Sequence, residues 1–263
     1  MPSVSNIAVG ALVAGAAASK ARHGMNESIA RLSTGMRSMY GGDAAGQSVA
    51  NTLQARSMSW AMAARNAEDG ISAAQTAESA LLEIAALAQR LRELGIQADN
   101  AALLQTASDV AALNAEAAAI GTAINSIAEK TTFNGVTLLT QSDLTRAVGV
   151  TDDGGTVTIT FKEVNDAGVS AAAGADGSAD ATLEDVAISL GNVAAGIAAL
   201  KGRQAVAYAA SANLAAAAAR IEDTDFAKET ANLTKNSVLN QSAMAMVAPV
   251  SYTHLTLPTK NEV

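Results

Sequence analysis

The chain of 263 residues contains no cysteine, which excludes a disulfide scaffold and any thiolate metal site and leaves the redox compartment open. Its two histidines, His23 and His254, stand far apart in the sequence, which argues against a histidine-built metal cluster. Aromatic residues make up 3% of the chain, so the large side chains that normally fill a globular core are nearly missing. The three prolines, Pro2, Pro249 and Pro258, all lie near the ends and leave an interior through which long helices can run. Cations are also scarce: the net charge of −8 disfavours a nucleic-acid partner, whose phosphates demand basic patches, and serves solubility instead. No lysine or arginine precedes Lys20, so the apolar stretch from Ile7 to Ala18 lacks the basic start of a secretory signal. That stretch is also too short and too rich in glycine to span a bilayer. The expectation is therefore no membrane insertion and, if the protein is exported, a route other than a cleaved signal peptide.

What is present is helix-forming alanine, which dominates a hydrophobic fraction of 49%. Near the N-terminus Ile7, Ala11, Ala14, Ala18, Ala21, Met25, Ser28 and Leu32 step by four and three. Near the C-terminus Val186, Leu190, Val193, Ile197, Leu200, Gln204, Ala207, Ser211, Leu214, Ala218 and Ile221 do the same without a slip. Spacing of this kind keeps one face of a helix turned toward a partner helix, as in a coiled coil. Ends built for helix pairing point to a part of an assembly rather than to an enzyme.

Between these ends the chain divides further. The first helix contains Gly10, Gly15 and Gly24, each unfavourable by about 1 kcal/mol relative to alanine, so on its own it is marginal and needs partners. The run YGGDAAG over 40–46 breaks it, with Asp43 placed to cap the next helix. A second helix is expected from Ala44 to Ala98, roughly 80 Å long, with Ile71, Ala74, Ala77, Leu81, Ile84, Ala88 and Leu91 on one face. A third carries Val110, Leu113, Ala117, Ile120, Ile124 and Ile127. Asn134-Gly135 then offers a tight turn, and Val157, Ile159 and Phe161 alternate with threonines, predicting a β-hairpin from Arg146 to Phe161. The Gly/Ala/Asp-rich residues from Asn165 to Asp180 read as an exposed loop. After Ile221 the stripe skips to Phe226 and resumes through Thr230, Leu233, Ser237, Met244 and Val247, with Glu222, Asp223 and Asp225 at the break. A register skip bearing charges marks a junction between differently packed helical segments.

No catalytic, cofactor or metal site emerges. The sequence GGDAAG lacks the lysine and hydroxyl residue of a phosphate loop. Asp152, Asp153, Asp176 and Asp180 fit no 12-residue calcium loop and read as turn chemistry. Glu222, Asp223 and Asp225 have no histidine nearby and read as a solvated or interface junction. His23 reads as a packed or interface residue, and Met25, Met36, Met39, Met244 and Met246 read as adaptable interface packing.

Several ordered segments resemble bacterial flagellin: IARLSTGMR at 29–37, DAAG at 43–46, RNAEDGIS at 65–72, AQTAE at 74–78, QRLREL at 89–94, TFNG at 132–135, and RIEDTDFA at 220–227 followed by Glu229. The resemblance covers roughly residues 1–140 and 185–248. It implies a mainly α fold of long antiparallel helices forming a rod-like coiled-coil bundle, with a small β-hairpin region in the middle. The implied divisions are an N-terminal coiled-coil helix (1–35), a linker (36–46), the N-terminal part of the rod (47–131), hairpin and loop (132–181), the C-terminal rod helix (182–221), the C-terminal coiled-coil helix (222–248) and an atypical tail (249–263). The family pattern places assembly contacts on Ile7, Ala11, Ala14, Ala18, Met25, Leu32, Phe226, Leu233, Met244 and Val247, and linker positions on Gly42, Asp43, Arg220, Glu222, Asp223 and Asp225. Gly42 departs from the polar or acidic residue often found there, which implies a more flexible linker.

The resemblance further implies a structural subunit that polymerises into the flagellar filament for swimming, leaves the cell through the flagellar export apparatus, and meets the filament cap, junction proteins and an export chaperone. A hook–filament junction protein is the nearest alternative, and a signalling coiled coil a more distant one. Gln89, Arg90, Leu94 and Gln97 match a segment recognised by a toll-like receptor in the family. Ala119 and Ile120 replace polar positions on the adjacent helix, so weakened recognition is expected. The tail from Pro249 to Val263 matches no flagellin pattern and is expected to be foreign, with Pro249 ending the helix.

Overall fold

The computed structural model describes residues 3–37, 42–100, 106–139, 144–165 and 168–255, with side chains described from Val9 to Met246. The helices are α1 (Ser3–Thr34), α2 (Ala44–Ala98), α3 (Ala107–Lys130), α4 (Ala175–Glu222) and α5 (Phe226–Leu255). Four strands, β1 (Thr132–Phe133), β2 (Val136–Thr137), β3 (Leu144–Gly149) and β4 (Thr156–Phe161), lie between α3 and α4. The chain forms two compact units, Met1–Gln54 with Ala215–Val263, and Ala55–Leu214, and both α2 and α4 contribute residues to each.

In the unit Ala55–Leu214 the heptad stripes become the core. Ala74, Ala77, Leu81, Ile84, Ala88 and Leu91 of α2 are fully buried, as are Ile124 of α3 and Leu200 of α4. Every position of the α4 stripe from Val186 to Ile221 is buried or half-buried. Only Val110, in the first turn of α3, turns outward, 41% exposed. Alanine at so many core positions brings the helices close, and glycine brings them closer. A Cβ on Gly95 of α2 would lie 2.9 Å from the Asp176 Cα, and one on Gly196 would lie 3.0 Å from Ile159 Cγ2.

The strands form two antiparallel hairpins, β1–β2 and β3–β4. In the first, Asn134 and Gly135 have φ of 50° and 76°, which two-residue turns between twisted strands require. In the second, Leu144 pairs with Phe161 and Gly149 with Thr156. Ile159 and Phe161 face the core while Thr156 and Thr158 are exposed, the alternation expected of a half-buried strand.

Three expectations need correction. The segment from Asn165 to Asp180 is not an open loop throughout, because α4 begins at Ala175. Ala172, Ala175 and Ala179 are buried, and Asp180 pairs with Arg92 at 2.7 Å. Alanine-rich sequence reads as loop when glycine and aspartate punctuate it, yet its small side chains suit a helix start packed against Gly95. Asp176 in that first turn also complements the helix dipole. Second, α5 continues through Pro249 to Leu255 rather than ending at the proline. Proline removes a single N–H from the ladder and disfavours a helix without forbidding its continuation on the far side. Third, His23 is exposed, which removes the packed reading and keeps the interface one. The acidic turn residues are engaged as turn chemistry implies: Asp152 pairs with Arg56 at 2.7 Å, and Asp153 accepts from Thr151.

Candidate assembly site

Helices α1 and α5 pack side by side and run antiparallel. Arg31 lies beside Glu229, Gly24 against Asn236, and Arg22 beside Met244. On α1 the predicted stripe forms the seam: Ala18, Ala21 and Ser28 are buried, and Ala11, Ala14, Met25 and Leu32 are half-buried. The side chains of Ile7 and Val247 lie outside the described residues.

On α5 the seam is not the one that apolar spacing selects. Glu229, Asn232, Leu233, Asn236, Ser237, Asn240 and Ala243 face inward, whereas Phe226 is 57% and Met244 50% exposed. Phe226 and Met244 are thus outside the α1–α5 seam. The inward face is led by asparagines, which the small residues of α1 admit, so hydrophobicity alone points to a neighbouring face. Glu229, 6% exposed, sits 3.8 Å from Arg31, which also holds Glu27 at 2.5 Å.

The helix pair leaves Val9, Leu12, Val13, Ile29, Phe226, Val238, Leu239, Met244 and Met246 each between 49% and 75% exposed. Scattered apolar residues are ordinary on a soluble surface, but this many large ones on two paired helices mark an interaction surface.

The two breaks in the heptads meet each other. Met36 and Asp223 form an antiparallel bridge; Arg37 N–H donates to the Glu222 carbonyl at 2.7 Å, and Thr224 N–H donates to the Gly35 carbonyl at 2.8 Å. The Arg37 side chain extends the tie, with Nε donating to the Ile221 carbonyl at 2.9 Å and Nη2 to Asp43 Oδ2 at 2.6 Å. Asp43 caps α2 by accepting from the Gly46 N–H at 2.8 Å. The Gly46 N–H first, and the Arg37 guanidinium second, hold the Asp43 carboxyl below the ordinary carboxylate range. Asp225 caps α5 through the N–H groups of Ala227 and Lys228, at 3.0 and 3.1 Å. Glu222 accepts from Gln47 at 3.2 Å. A polar cleft of about 480 Å³ is lined by Arg31, Gly42, Arg220, Asp223 and their neighbours.

All six predicted linker residues therefore gather at one place. Gly35, Arg37 and Thr224 complete it; Arg37 and Thr224 lie within the predicted breaks, but spacing singles out none of the three. The available signal was the pair of breaks itself, since two interruptions flanking paired helices must leave the pair together. Met39, Tyr40 and Gly41 of the first break lie outside the described residues.

The third group of predicted residues sits on α2. Gln89, Arg90 and Gln97 are exposed, but Leu94 is fully buried on the same face as Leu91 and is not available to a partner. The Arg90 guanidinium is held by Glu116 of α3, Nη2 to Oε1 at 2.7 Å, and by Glu93 at 3.0 Å; Glu116 and then Glu93 push its pKa up.

Comparison with known proteins agrees with this architecture. Residues 6–143 match the family model described as the bacterial flagellin N-terminal helical region, and residues 179–254 match the bacterial flagellin C-terminal helical region. Flagellin of Bacillus subtilis (strain 168) is 33% identical over 262 residues, covering 83% of this chain and 86% of that protein. Flagellin of Halalkalibacterium halodurans is 34% identical over 233 residues, covering 83% of this chain and 85% of that protein. A crystal structure of Bacillus cereus flagellin overlays with a TM-score of 0.36 and 21% identity, covering 57% of this chain and 88% of that one; membership rests on the sequence matches. The chain belongs to the bacterial flagellin family, the structural subunits of the extracellular flagellar filament.

Proposed function

We propose that this flagellin polymerises through the α1–α5 pair, with further copies of the chain covering its outward apolar face. The observation that carries the reading is the set of exposed Val9, Leu12, Val13, Val238, Leu239 and Met246 that the pairing of α1 with α5 leaves uncovered. Fully burying one such side chain is worth about 2 kcal/mol, so a few per neighbour suffice to favour association. The glycines of α1 keep that helix marginal alone, which ties its order to the partners that cover it. Ala11, Ala14, Ala18, Met25, Leu32 and Leu233 then serve the pairing within a subunit, Met244 borders that pairing beside Arg22, and Phe226 serves contacts between subunits. Ile7 and Val247 are assigned to the same helix pair from their spacing.

The linker junction of Gly42, Asp43, Arg220, Glu222, Asp223 and Asp225 acts as the joint that fixes where the α1–α5 pair begins. Export without a cleaved signal through the flagellar apparatus, and contacts with cap, junction proteins and chaperone, follow from the family reading. Toll-like receptor recognition is weak in this reading, because Arg90 is already engaged by Glu116 and Glu93 and Leu94 is buried.

The test is polymerisation of purified chain, followed by sedimentation and electron microscopy. Wild type should form long filaments, and a Val238→Ser/Leu239→Ser variant with unchanged helix content should remain soluble. Filaments of equal yield from that variant would remove the outward face from the assembly.

A further inference from the structure

With cysteine absent, the sulfur of this protein resides in its eight methionines. Four of the described ones are at least half exposed: Met58 at 62%, Met62 at 52%, Met244 at 50% and Met246 at 70%. Their surroundings differ. Met62 Sδ lies 4.0 Å from Arg65 Nη1, and Met244 Sδ lies 3.7 Å from Arg22 Nη2 at the exposed edge of the α1–α5 pair. Met246 instead lines an apolar groove of about 660 Å³ between α1 and α5, together with Gly10, Ala11, Val13, Ala14 and Leu239. None of the described lining residues is charged, and the lining hydroxyl of Ser242 is committed to the Val238 carbonyl at 2.8 Å.

We propose that Met246 is a peroxide-sensitive modification site, and that its conversion to the sulfoxide blocks the seating of a second copy on the α1–α5 groove. The proposal rests on the assembly reading above and adds a chemical control to it. A sulfur lone pair attacks one oxygen of hydrogen peroxide or an alkyl hydroperoxide. The S–O bond forms as the O–O bond breaks, and the hydroxyl proton on the new sulfur-bound oxygen passes to the departing hydroxide or alkoxide. Sulfur loses two electrons, the peroxide gains them, and water or an alcohol leaves.

The consequence depends on position. At Met244 the new oxygen meets the Arg22 guanidinium, which exchanges a weak contact with sulfur for a charge-assisted hydrogen bond. At Met246 the oxygen projects where the described lining offers no free donor, so covering it with a neighbour would bury an unpaired acceptor. Exposure makes the free subunit the reactive form, and a filament that covers the groove protects the same sulfur.

The experiment treats purified, full-length subunit with hydrogen peroxide, maps the added oxygen by peptide mass spectrometry, and measures polymerisation by sedimentation. Untreated wild type should assemble, and oxidised wild type should assemble about tenfold more slowly or not at all, the equivalent of roughly 1.4 kcal/mol or more. Met246→Leu, oxidised at Met58, Met62 and Met244 but not at 246, should keep its untreated rate, and Met244→Leu should lose as much as wild type. Oxidised wild type repaired with methionine sulfoxide reductases should recover. If Met246→Leu does not fold, partly oxidised wild type decides, since chains left in the soluble fraction should carry the oxygen at Met246, and equal oxidation of Met246 in pellet and soluble fractions overturns the proposal. Oxidised wild type that assembles at the untreated rate overturns the proposal and leaves the assembly reading standing. Equal loss in oxidised Met246→Leu overturns it by placing the sensitive sulfur elsewhere. Untreated wild type that never assembles brings down the assembly reading itself, and the proposal with it.

Discussion

Arg37 donates from Nε to the carbonyl of Ile221, a residue 184 positions further along the chain, at 2.9 Å. The same guanidinium holds Asp43, so one side chain joins the end of α4 to the cap of α2. Arg37→Ala should leave the backbone bridge and the Gln47–Glu222 hydrogen bond to tie the two breaks. Because Arg37 is half exposed, the loss should be about 1 kcal/mol rather than the larger value of a buried pair. Amide exchange at Thr224, which donates to Gly35, should quicken accordingly. Arg37→Lys should behave like the alanine variant, since a lysine lacks the fork that reaches both partners. Unchanged protection at Thr224 in Arg37→Ala would assign the junction to the backbone and the Gln47–Glu222 bond.

The junction should also respond to acid. The Asp43 carboxyl titrates below its unfolded value, so the stability it lends is fully present above about pH 4 and is lost as pH falls through the lower, folded value. Asp43→Asn keeps a capping oxygen for Gly46 but gives up the charge facing Arg37. Its Gly46 amide should therefore exchange at a rate independent of this titration, while the wild-type amide becomes less protected below pH 4, after correction for intrinsic exchange.

Two glycines in helices should respond oppositely to alanine. Gly95→Ala drives a Cβ into the Asp176 backbone, which cannot swing aside as a side chain would, and should destabilise by about 2 kcal/mol. Gly191 of α4 is exposed with nothing within 4 Å of an added Cβ, so Gly191→Ala should stabilise by about 0.5–1 kcal/mol. Denaturant unfolding of the two variants tests both signs in one measurement.

The turn between β1 and β2 supplies a local test. Gly135 holds φ of 76°, where a side chain is strained, and a Cβ there would otherwise meet open space. Gly135→Ala should therefore destabilise by about 1 kcal/mol through backbone strain alone. Loss of the cross-strand pairing between Phe133 and Val136 should appear in the same variant by NMR.

The helices α2 and α4 were legible because their buried positions are also their apolar positions, so Leu81, Ile84, Val193 and Leu200 announce the core through spacing alone. The seam of α5 was not, because Glu229, Asn232, Asn236 and Asn240 occupy it and polarity carries no inward signal without knowledge of the partner. Likewise, the breaks near Asp43 and Asp223 could be found one at a time. Their mutual bonding is a tertiary fact that no periodicity records. At Ala175 the difficulty was composition, since a run of alanine, glycine and aspartate serves a loop or a tightly packed helix start until Gly95 is seen beneath it.

The Met36–Asp223 bridge also sets an order of events. Bringing these residues together closes the shortest loop by which the two ends of the chain can meet, and the entropy of that closure is spent once. Arg31 and Glu229 then stand nearest, followed by Gly24 with Asn236 and Arg22 with Met244. Each later pairing needs only another turn of helix on both sides, as in a zipper whose slider starts at the bridge. The groove that would take the neighbouring copy lies at the far end of that zipper. It is the last part of the pair to close and so the part most open to being finished by another subunit.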